Sequence, residues 1–361
     1  MRLAFWQKFD WSLIFCLLFL AVTSLFSLYS IDQSFFWKQF YWYLIFFGII
    51  LASLIFNWGS FLYQSWFRQG IYWLSIVLLV LTHFQTATIR GTKSWLILGS
   101  FQFAPAELAK IGLVLVLAGF FSKRYLGAWL GRNILVSFFY AFLPIVLVVS
   151  HPDFGAAVVL LSIWLGFLLT SGLDKKKIFW GLSIAAAIFV LLWGFYFKPY
   201  QKDRLIGFLI PDYDPLGINY NVTQSKIAIG SAGLFGKGFQ AGTQTQLHFL
   251  PETYGDFIFA VLTEEWGLIG AFGVIGVFTI LLFRFLQLGI RATDNYSKFV
   301  ALGAFLIFGS QFVLNLGSNL GFLPVVGVAF PLLSYGGSSI LTLALLMSII
   351  LNINFESSFK T

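Results

Sequence analysis

The chain is poor in charge and has almost no cysteine. Only 10% of its 361 residues are Asp, Glu, Lys or Arg, whereas 59% are apolar, and soluble globular domains carry about 25% charged residues. The single cysteine, Cys16, excludes an intrachain disulfide. These shortages exclude an ordinary soluble domain and a disulfide-stapled secreted scaffold, and they point to a membrane protein.

Long apolar runs recur along the whole chain. A helix of about 20 apolar residues crosses the hydrocarbon core of a bilayer. We count ten such runs, at 11–30, 40–56, 70–84, 104–121, 134–150, 154–171, 178–197, 257–283, 299–317 and 333–352. They are continuously apolar, whereas barrel strands alternate. The predicted fold is therefore an all-α polytopic membrane protein with about ten transmembrane helices, forming one integral membrane domain over residues 1–361.

The distribution of Lys and Arg predicts the orientation of these helices. More than half of the 22 basic residues lie at the chain ends and in alternate loops, while the intervening short loops hold only Lys38, Arg90 and Lys93. Because cytoplasmic loops are enriched in Lys and Arg, both termini are expected in the cytoplasm. The large loop at 198–256, between helices seven and eight, is then extracytoplasmic. This topology accounts for the net charge of +8 without a nucleic-acid partner.

One long polar segment, at 219–265, interrupts the apolar sequence. It is rich in glycine, which allows tight turns and close backbone approach to a ligand, and it leads into Asp256, where apolar sequence resumes. Its candidate substrate-binding side chains, together with Arg204 earlier in the loop, are Gln224, Lys226, Lys237, Gln244 and Glu252. A carboxylate at the mouth of a membrane helix is a candidate catalytic group. The alternative is a solvated loop followed by a first-turn Asp that the helix dipole favours.

Ionisable residues inside or beside the spans form a second set of candidates, because they are expensive in a membrane. Glu107 and Lys110 have the i, i+3 spacing that places them on one helix face, and Asp153 lies in the turn HPDFG. We add these three to the candidate substrate-binding residues; the alternatives are a structural salt bridge and a turn-forming Asp. With the predicted topology, all of them lie in the outer half of the membrane. That favours an enzyme acting on a lipid-linked substrate over a transporter with a midplane site.

Four blocks of sequence resemble the SEDS family, named for shape, elongation, division and sporulation. They are 95–110, which ends in PAELAK, HPDFG at 151–155, the polar segment 219–265, and GFLPVVGVAFPLLSYGGSS at 321–339. The segment GTQTQLHFLPE is more similar to the elongation members of the family than to the division members. Because the ten-span layout also matches, the resemblance covers nearly the whole chain.

The resemblance implies a peptidoglycan glycosyltransferase that polymerises lipid II during cell elongation, at the outer face of the bacterial cytoplasmic membrane. The expected partners are a class B penicillin-binding protein, which supplies the transpeptidase, the polyprenyl-diphosphate-linked glycan and membrane lipids. The family's catalytic carboxylate corresponds to Asp256, in the block GDFIFA.

The residue types suit this chemistry. Asp256 would act as general base on the 4-hydroxyl of the acceptor sugar. Diphosphate leaves as a stable anion, so cationic groups suffice where a hydrolase needs a second carboxylic acid. A divalent cation, Mg²⁺ or Mn²⁺, is the alternative source of that positive charge. Two other functions stay open at this point: a lipid II flippase, and a non-catalytic scaffold for the transpeptidase.

Overall fold

The structure is a computed structural model that describes residues 10–55, 61, 63–85, 94–99, 101–124, 131–172, 176–177, 181, 183, 193–195, 199–210, 213–214 and 217–357. The elements in chain order are α1 (Trp11–Ile31), α2 (Gln33–Ile55), α3 (Ser65–His83), β1 (Leu96–Leu98), β2 (Phe101–Phe103), α4 (Pro105–Arg124), α5 (Gly131–Ser150), α6 (Phe154–Thr170), α7 (Pro199–Leu209), α8 (Tyr220–Ser231), α9 (Thr243–Gln246), α10 (Ile258–Arg291), α11 (Asn295–Leu320) and α12 (Gly337–Ser357).

The described residues confirm a helical membrane protein. Seven helices, α1–α5, α10 and α11, are long and apolar enough to cross a bilayer, and α6 and α12 are shorter apolar helices. They coincide with nine of the ten predicted runs. The seventh run, 178–197, lies almost wholly outside the described residues, so the count of ten and the orientation remain predictions.

Helix α4 forms the centre of the bundle. In an apolar stretch of 18 residues of this helix, 83% of the residues are buried. The helix packs against α3, α5, α6, α11 and α12. A helix that is apolar on every side is typical of a position enclosed by other helices. Lys110 of α4 is therefore buried by protein rather than by lipid.

Helix α10 is broken at Gly267, which has the left-handed φ of 70° and a ψ of −171°. The glycine-rich loop lies against this break and replaces the missing helical hydrogen bonds. The four replacement bonds are Leu268 N–H to Gly233 O (3.0 Å), Ile269 N–H to Leu234 O (3.2 Å), Lys237 N–H to Glu264 O (2.9 Å) and Gly238 N–H to Glu265 O (3.1 Å).

These bonds are a reciprocal exchange between helix and loop. In an unbroken helix, the N–H groups of Leu268 and Ile269 would donate to the carbonyls of Glu264 and Glu265. Here two loop carbonyls accept the N–H groups of Leu268 and Ile269 instead. Two loop N–H groups donate to the carbonyls of Glu264 and Glu265. No unsatisfied backbone group results at these four positions, which matters in a membrane because water is scarce there.

The polar segment is a folded layer rather than a plain loop. Helices α7, α8 and α9 lie within or next to it, and α8 packs against α10 and α11. We call the end of the bundle covered by this layer the loop end. It also holds the segment at 321–336, which contacts the Asp256 turn, and the turn at 151–155, which packs on that segment.

Candidate active site

Asp256 lies in the turn at 251–257, two residues before α10. The helix begins at Ile258, with Phe257 as its N-cap. Asp256 is therefore at the mouth of the helix and not in its first turn, which contradicts the alternative of a first-turn Asp. Asp256 as a whole residue is half-buried.

The backbone around Asp256 is held at three successive carbonyls. Tyr335 N–H donates to Tyr254 O at 2.8 Å, Ser334 Oγ–H donates to Gly255 O at 2.7 Å, and Nδ2 of Asn315 and of Asn319 donates to Asp256 O at 2.9 and 2.8 Å. All four donor residues come from α11 or from the segment between α11 and α12. The position of Asp256 is thus set by residues about 60 to 80 positions later in the chain.

The segment 321–330 forms one wall of the site. At Gly327, whose φ is 71°, a Cβ would lie 3.9 Å from Asp256 Oδ2. On the other side, a Cβ at Gly155 would lie 2.5 Å from a methyl group of Val328 and 2.6 Å from Val326 O. Since glycine is needed at 155 for this approach, the turn HPDFG packs directly on the segment that faces Asp256.

Glu107 and Lys110 form the salt bridge that their spacing predicts. Lys110 Nζ lies 2.7 Å from Glu107 Oε1, and the two side chains are 2% and 19% exposed. Asp153 caps α6 by accepting the Ala156 N–H at 3.0 Å. Burial raises the pKa of Asp153, although the Ala156 N–H and the Lys110 charge oppose that rise. The half-buried Asp153 therefore lies within electrostatic reach of the Glu107–Lys110 pair.

We expect Lys110→Met to destabilise the protein by about 3–5 kcal/mol, because removing one partner of a buried pair leaves the other charge uncompensated. The melting temperature of the purified protein measures this. Lys123→Met, at an exposed position of the same helix, is the matched control and should leave the melting temperature unchanged. Lost turnover at an unchanged melting temperature would instead identify Lys110 as an anion site.

Lys237 Nζ forms a salt bridge with Glu264 Oε1 at 2.8 Å, and the Glu264 side chain is completely buried. The same carboxylate accepts the backbone N–H of Gln244 at 2.8 Å and that of Thr245 at 3.1 Å. These contacts fix the loop on α10. Lys237 and Gln244, both predicted to contact substrate, are thus already used to hold the loop in place; their contact with substrate remains a prediction.

Arg204 and Lys226 lie on the wall of one cavity of about 350 Å³. The cavity is bounded by α7, α8 and the start of the segment 321–330. Lys226 packs so closely on Gly321 that a Cβ there would come within 2.1 Å of its Cε. Two of the predicted cations therefore face one concave space at the loop end.

Gln224 and Glu252 are the remaining candidates from the polar segment. Gln224 is half-buried on α8. Glu252 has a left-handed φ of 51°, and its carbonyl accepts the N–H groups of Gly255 at 3.1 Å and Phe257 at 3.4 Å. It shapes the turn that carries Asp256.

Within the part of the chain that the structure describes, no group of three or more His, Cys, Asp or Glu side chains is arranged to hold a metal ion. These residues by themselves do not build a metal site of the kind that proteins form from several carboxylates.

Sequence reasoning did not identify Asn315, Asn319 or the wall at 321–330 as parts of the site. The two asparagines are nearly fully buried; Asn315 lies within the predicted span 299–317, and Asn319 lies two residues beyond its end. A signal was present, because polar residues within a membrane span are candidates for a functional role. Asparagine is polar but not ionisable, so the two residues are not among the predicted site residues.

The fold and site define a polytopic helical membrane protein. At its loop end lie the turn that carries Asp256 and a cavity lined by Arg204 and Lys226. Comparison with known proteins agrees. The family model described as Cell cycle protein (FtsW, RodA and SpoVE) matches residues 2–359. The chain is 40% identical over 281 residues to the peptidoglycan glycosyltransferase MrdB of Escherichia coli strain K12, covering 78% of this chain and 76% of MrdB. It is 37% identical over 291 residues to the probable peptidoglycan glycosyltransferase FtsW of Haemophilus influenzae, covering 78% and 72%.

Two solved structures have the same fold. One, from work described as structural coordination of polymerization and crosslinking by a peptidoglycan synthase complex, has a TM-score of 0.83 and 27% identity, covering 97% of this chain and 98% of that one. The other is the rod shape determining protein RodA of Thermus thermophilus, with a TM-score of 0.70 and 25% identity, covering 96% of each chain. The chain belongs to the FtsW/RodA/SpoVE family, which confirms the resemblance drawn from its sequence blocks.

Proposed function

We propose that this chain is a RodA-type peptidoglycan glycosyltransferase that polymerises lipid II into glycan strands at the outer face of the bacterial cytoplasmic membrane. Its family and the names of its relatives support the activity. The observation that carries the site assignment is the turn at Asp256, whose backbone is held at three successive carbonyls and which lies beside the wall formed by Gly327.

In the proposed reaction, Asp256 acts as general base. The 4-hydroxyl oxygen of the acceptor sugar attacks C1 of the donor sugar and forms the new glycosidic bond. The hydroxyl proton passes to the Asp256 carboxylate, and the bond between C1 and the diphosphate oxygen breaks with its electron pair on the diphosphate. A single displacement of this kind inverts the configuration at C1.

Arg204 and Lys226 are the proposed partners of the diphosphate. Cations placed where negative charge develops stabilise the transition state without reorganisation. Their shared cavity is large enough for a diphosphate group and opens beside the wall that faces Asp256. Lys110 is less suited, because Glu107 already neutralises it in a buried position.

We expect Lys226→Gln to raise the KM for lipid II about tenfold, which corresponds to about 1.4 kcal/mol of lost binding. Steady-state kinetics of lipid II polymerisation measure the effect. Arg132→Gln removes an exposed charge from α5 and is the control. An unchanged KM in Lys226→Gln would remove this residue from the proposed diphosphate site.

The outer location of the loop end is tested by cysteine labelling. In a Cys16→Ser background, Leu247→Cys introduces a thiol at a position whose side chain is 62% exposed. We expect a membrane-impermeant maleimide to label it in intact cells. Labelling only after the membrane is permeabilised would put this layer in the cytoplasm, where it could not serve an outer-face polymerase.

The proposed partner is a class B penicillin-binding protein that supplies the transpeptidase. Support comes from the structural match to a chain of a peptidoglycan synthase complex in which polymerization and crosslinking are coordinated. A polymerase and a transpeptidase held together would pass the growing strand from one site to the other.

The decisive experiment is polymerisation of lipid II by the purified full-length chain, with and without the transpeptidase. Glycan strands of increasing length support the proposal. A flippase would instead move lipid II across a sealed vesicle without chain growth, and a scaffold would leave polymerisation wholly dependent on another enzyme. The Glu107–Lys110 pair and the cavity lined by Arg204 and Lys226 both lie at the loop end. This placement favours chemistry at one face over movement across the membrane.

A further inference from the structure

Asn319, at the C-terminal end of α11, contacts both the Asp256 turn and helix α8. Its side-chain Nδ2 donates to the Asp256 carbonyl at 2.8 Å. Its own backbone carbonyl accepts the Ser225 Oγ–H at 2.9 Å. Both Asn319 and Ser225 have no exposed surface. One buried residue therefore joins the turn of the candidate base to the helix that carries Lys226, the residue after Ser225.

Asn315 supports this arrangement from one helical turn earlier. Its Nδ2 donates to Asp256 O at 2.9 Å and to Val328 O at 2.8 Å, and its own Oδ1 accepts from Asn319 Nδ2 at 3.1 Å. The two amides thus form a connected network that reaches the turn of the base, the wall beside it and the cation-bearing helix.

The Asn319 amide is not arranged as a purely structural residue would be. Its Oδ1 is buried and makes no hydrogen bond among the described residues. A buried acceptor without a partner costs about 1–3 kcal/mol. An apolar residue at this position would avoid that cost, but it would lose the donations of Asn319 Nδ2 to Asp256 O and to Asn315. Of these, only the donation to Asp256 reaches the turn of the candidate base.

We propose that Asn319 is a positioning residue for glycosyl transfer, which fixes Asp256 relative to the Lys226 helix. The inference rests on the proposed function, because it assigns Asn319 a role in placing the general base. Asn319 holds the Asp256 backbone and does not touch the reacting atoms. Holding the backbone affects the rate because a displacement of about 1 Å at a reacting group costs on the order of 100-fold in rate.

The test compares Asn319→Asp and Asn319→Ala with the wild type in lipid II polymerisation by the full-length protein in proteoliposomes. Asn319→Asp keeps the shape but replaces the donor by an acceptor. We expect kcat to fall on the order of 100-fold in Asn319→Asp and about tenfold in Asn319→Ala, where Asn315 still holds the carbonyl. KM should change by less than about threefold, since Arg204 and Lys226 remain. Should Asn319→Asp fail to fold, Asn319→Ala decides the question alone.

Asn352→Asp is the matched control. Asn352 is also a buried asparagine, and its Nδ2 donates to Ser348 O at 2.9 Å and Ser53 O at 3.2 Å, away from Asp256. Its kcat should stay within about threefold of the wild type. Equal losses of kcat in the two Asn-to-Asp variants, or unchanged kcat in both Asn319 variants, would overturn the inference.

Asp256→Asn, assayed beside them, separates this inference from the proposed function. Full activity in Asp256→Asn overturns the assignment of the base, and the positioning role falls with it. An inactive Asp256→Asn together with normal Asn319 variants overturns the positioning role alone.

Discussion

Asp256→Asn is expected to lower the rate of lipid II polymerisation by about 10²–10⁴-fold, the range that a positioned general base contributes. Asparagine has the same shape as aspartate but cannot accept the acceptor hydroxyl proton. The four contacts that hold this turn all end on backbone carbonyls, so the substitution leaves them in place. These four contacts should keep the variant folded, with a melting temperature close to that of the wild type. Gel analysis of glycan products from purified protein measures the rate.

Asp32→Asn is a suitable control for this variant. Asp32 lies between α1 and α2, is exposed, and accepts the Ser34 N–H at 2.6 Å. Removing its charge should change polymerisation by less than about threefold. Full activity in Asp256→Asn would contradict the catalytic assignment, and another group of the chain would then have to accept the proton.

Gly236→Ala is expected to destabilise the protein strongly. Gly236 has a φ of 82°, and a Cβ there would lie 2.1 Å from the Glu265 carbonyl oxygen and 2.5 Å from the Gly267 N. A left-handed φ costs a residue with a side chain roughly 1–2 kcal/mol, and forcing extra volume into a packed site costs about 1–3 kcal/mol more. The contacting atoms are backbone and cannot move aside without opening the break in α10. We expect a loss of about 2–5 kcal/mol, measured as a lower melting temperature and lower yield of folded protein.

Gly233→Ala separates the two causes. Gly233 also has a left-handed φ, of 64°, but a Cβ there would meet nothing within 4 Å. It should show only the conformational cost, roughly 1–2 kcal/mol. If Gly236→Ala were no less stable than Gly233→Ala, the close packing of the loop against the helix break would not be important for stability.

The break in α10 also shows where sequence reasoning fails. The apolar run at 257–283 predicts one helix, and the structure extends it to Arg291. No local signal distinguishes Gly267 from the other glycines of this run, because glycine is common in membrane helices. The break is stable because residues 233–238, some thirty positions earlier, supply its hydrogen bonds.

The pairing of Glu107 with Lys110 is the opposite case. Their spacing alone predicts contact, because residues three apart lie on one face of a helix, and the structure confirms it. The contact of Lys237 with Glu264 spans 27 residues and follows from no periodicity. That is why Lys237 was expected to face substrate.

By itself, the sequence determined the class of protein, the position of nine helices and the family, because apolar length, helical spacing and the wording of motifs are local properties. Only the tertiary structure decided how Asp256 is held, which cations share its end of the bundle, and that Asn315 and Asn319 belong to the site. Those features depend on residues distant in the chain that meet only after the helices pack, and the free energy of that packing is not encoded in any single stretch.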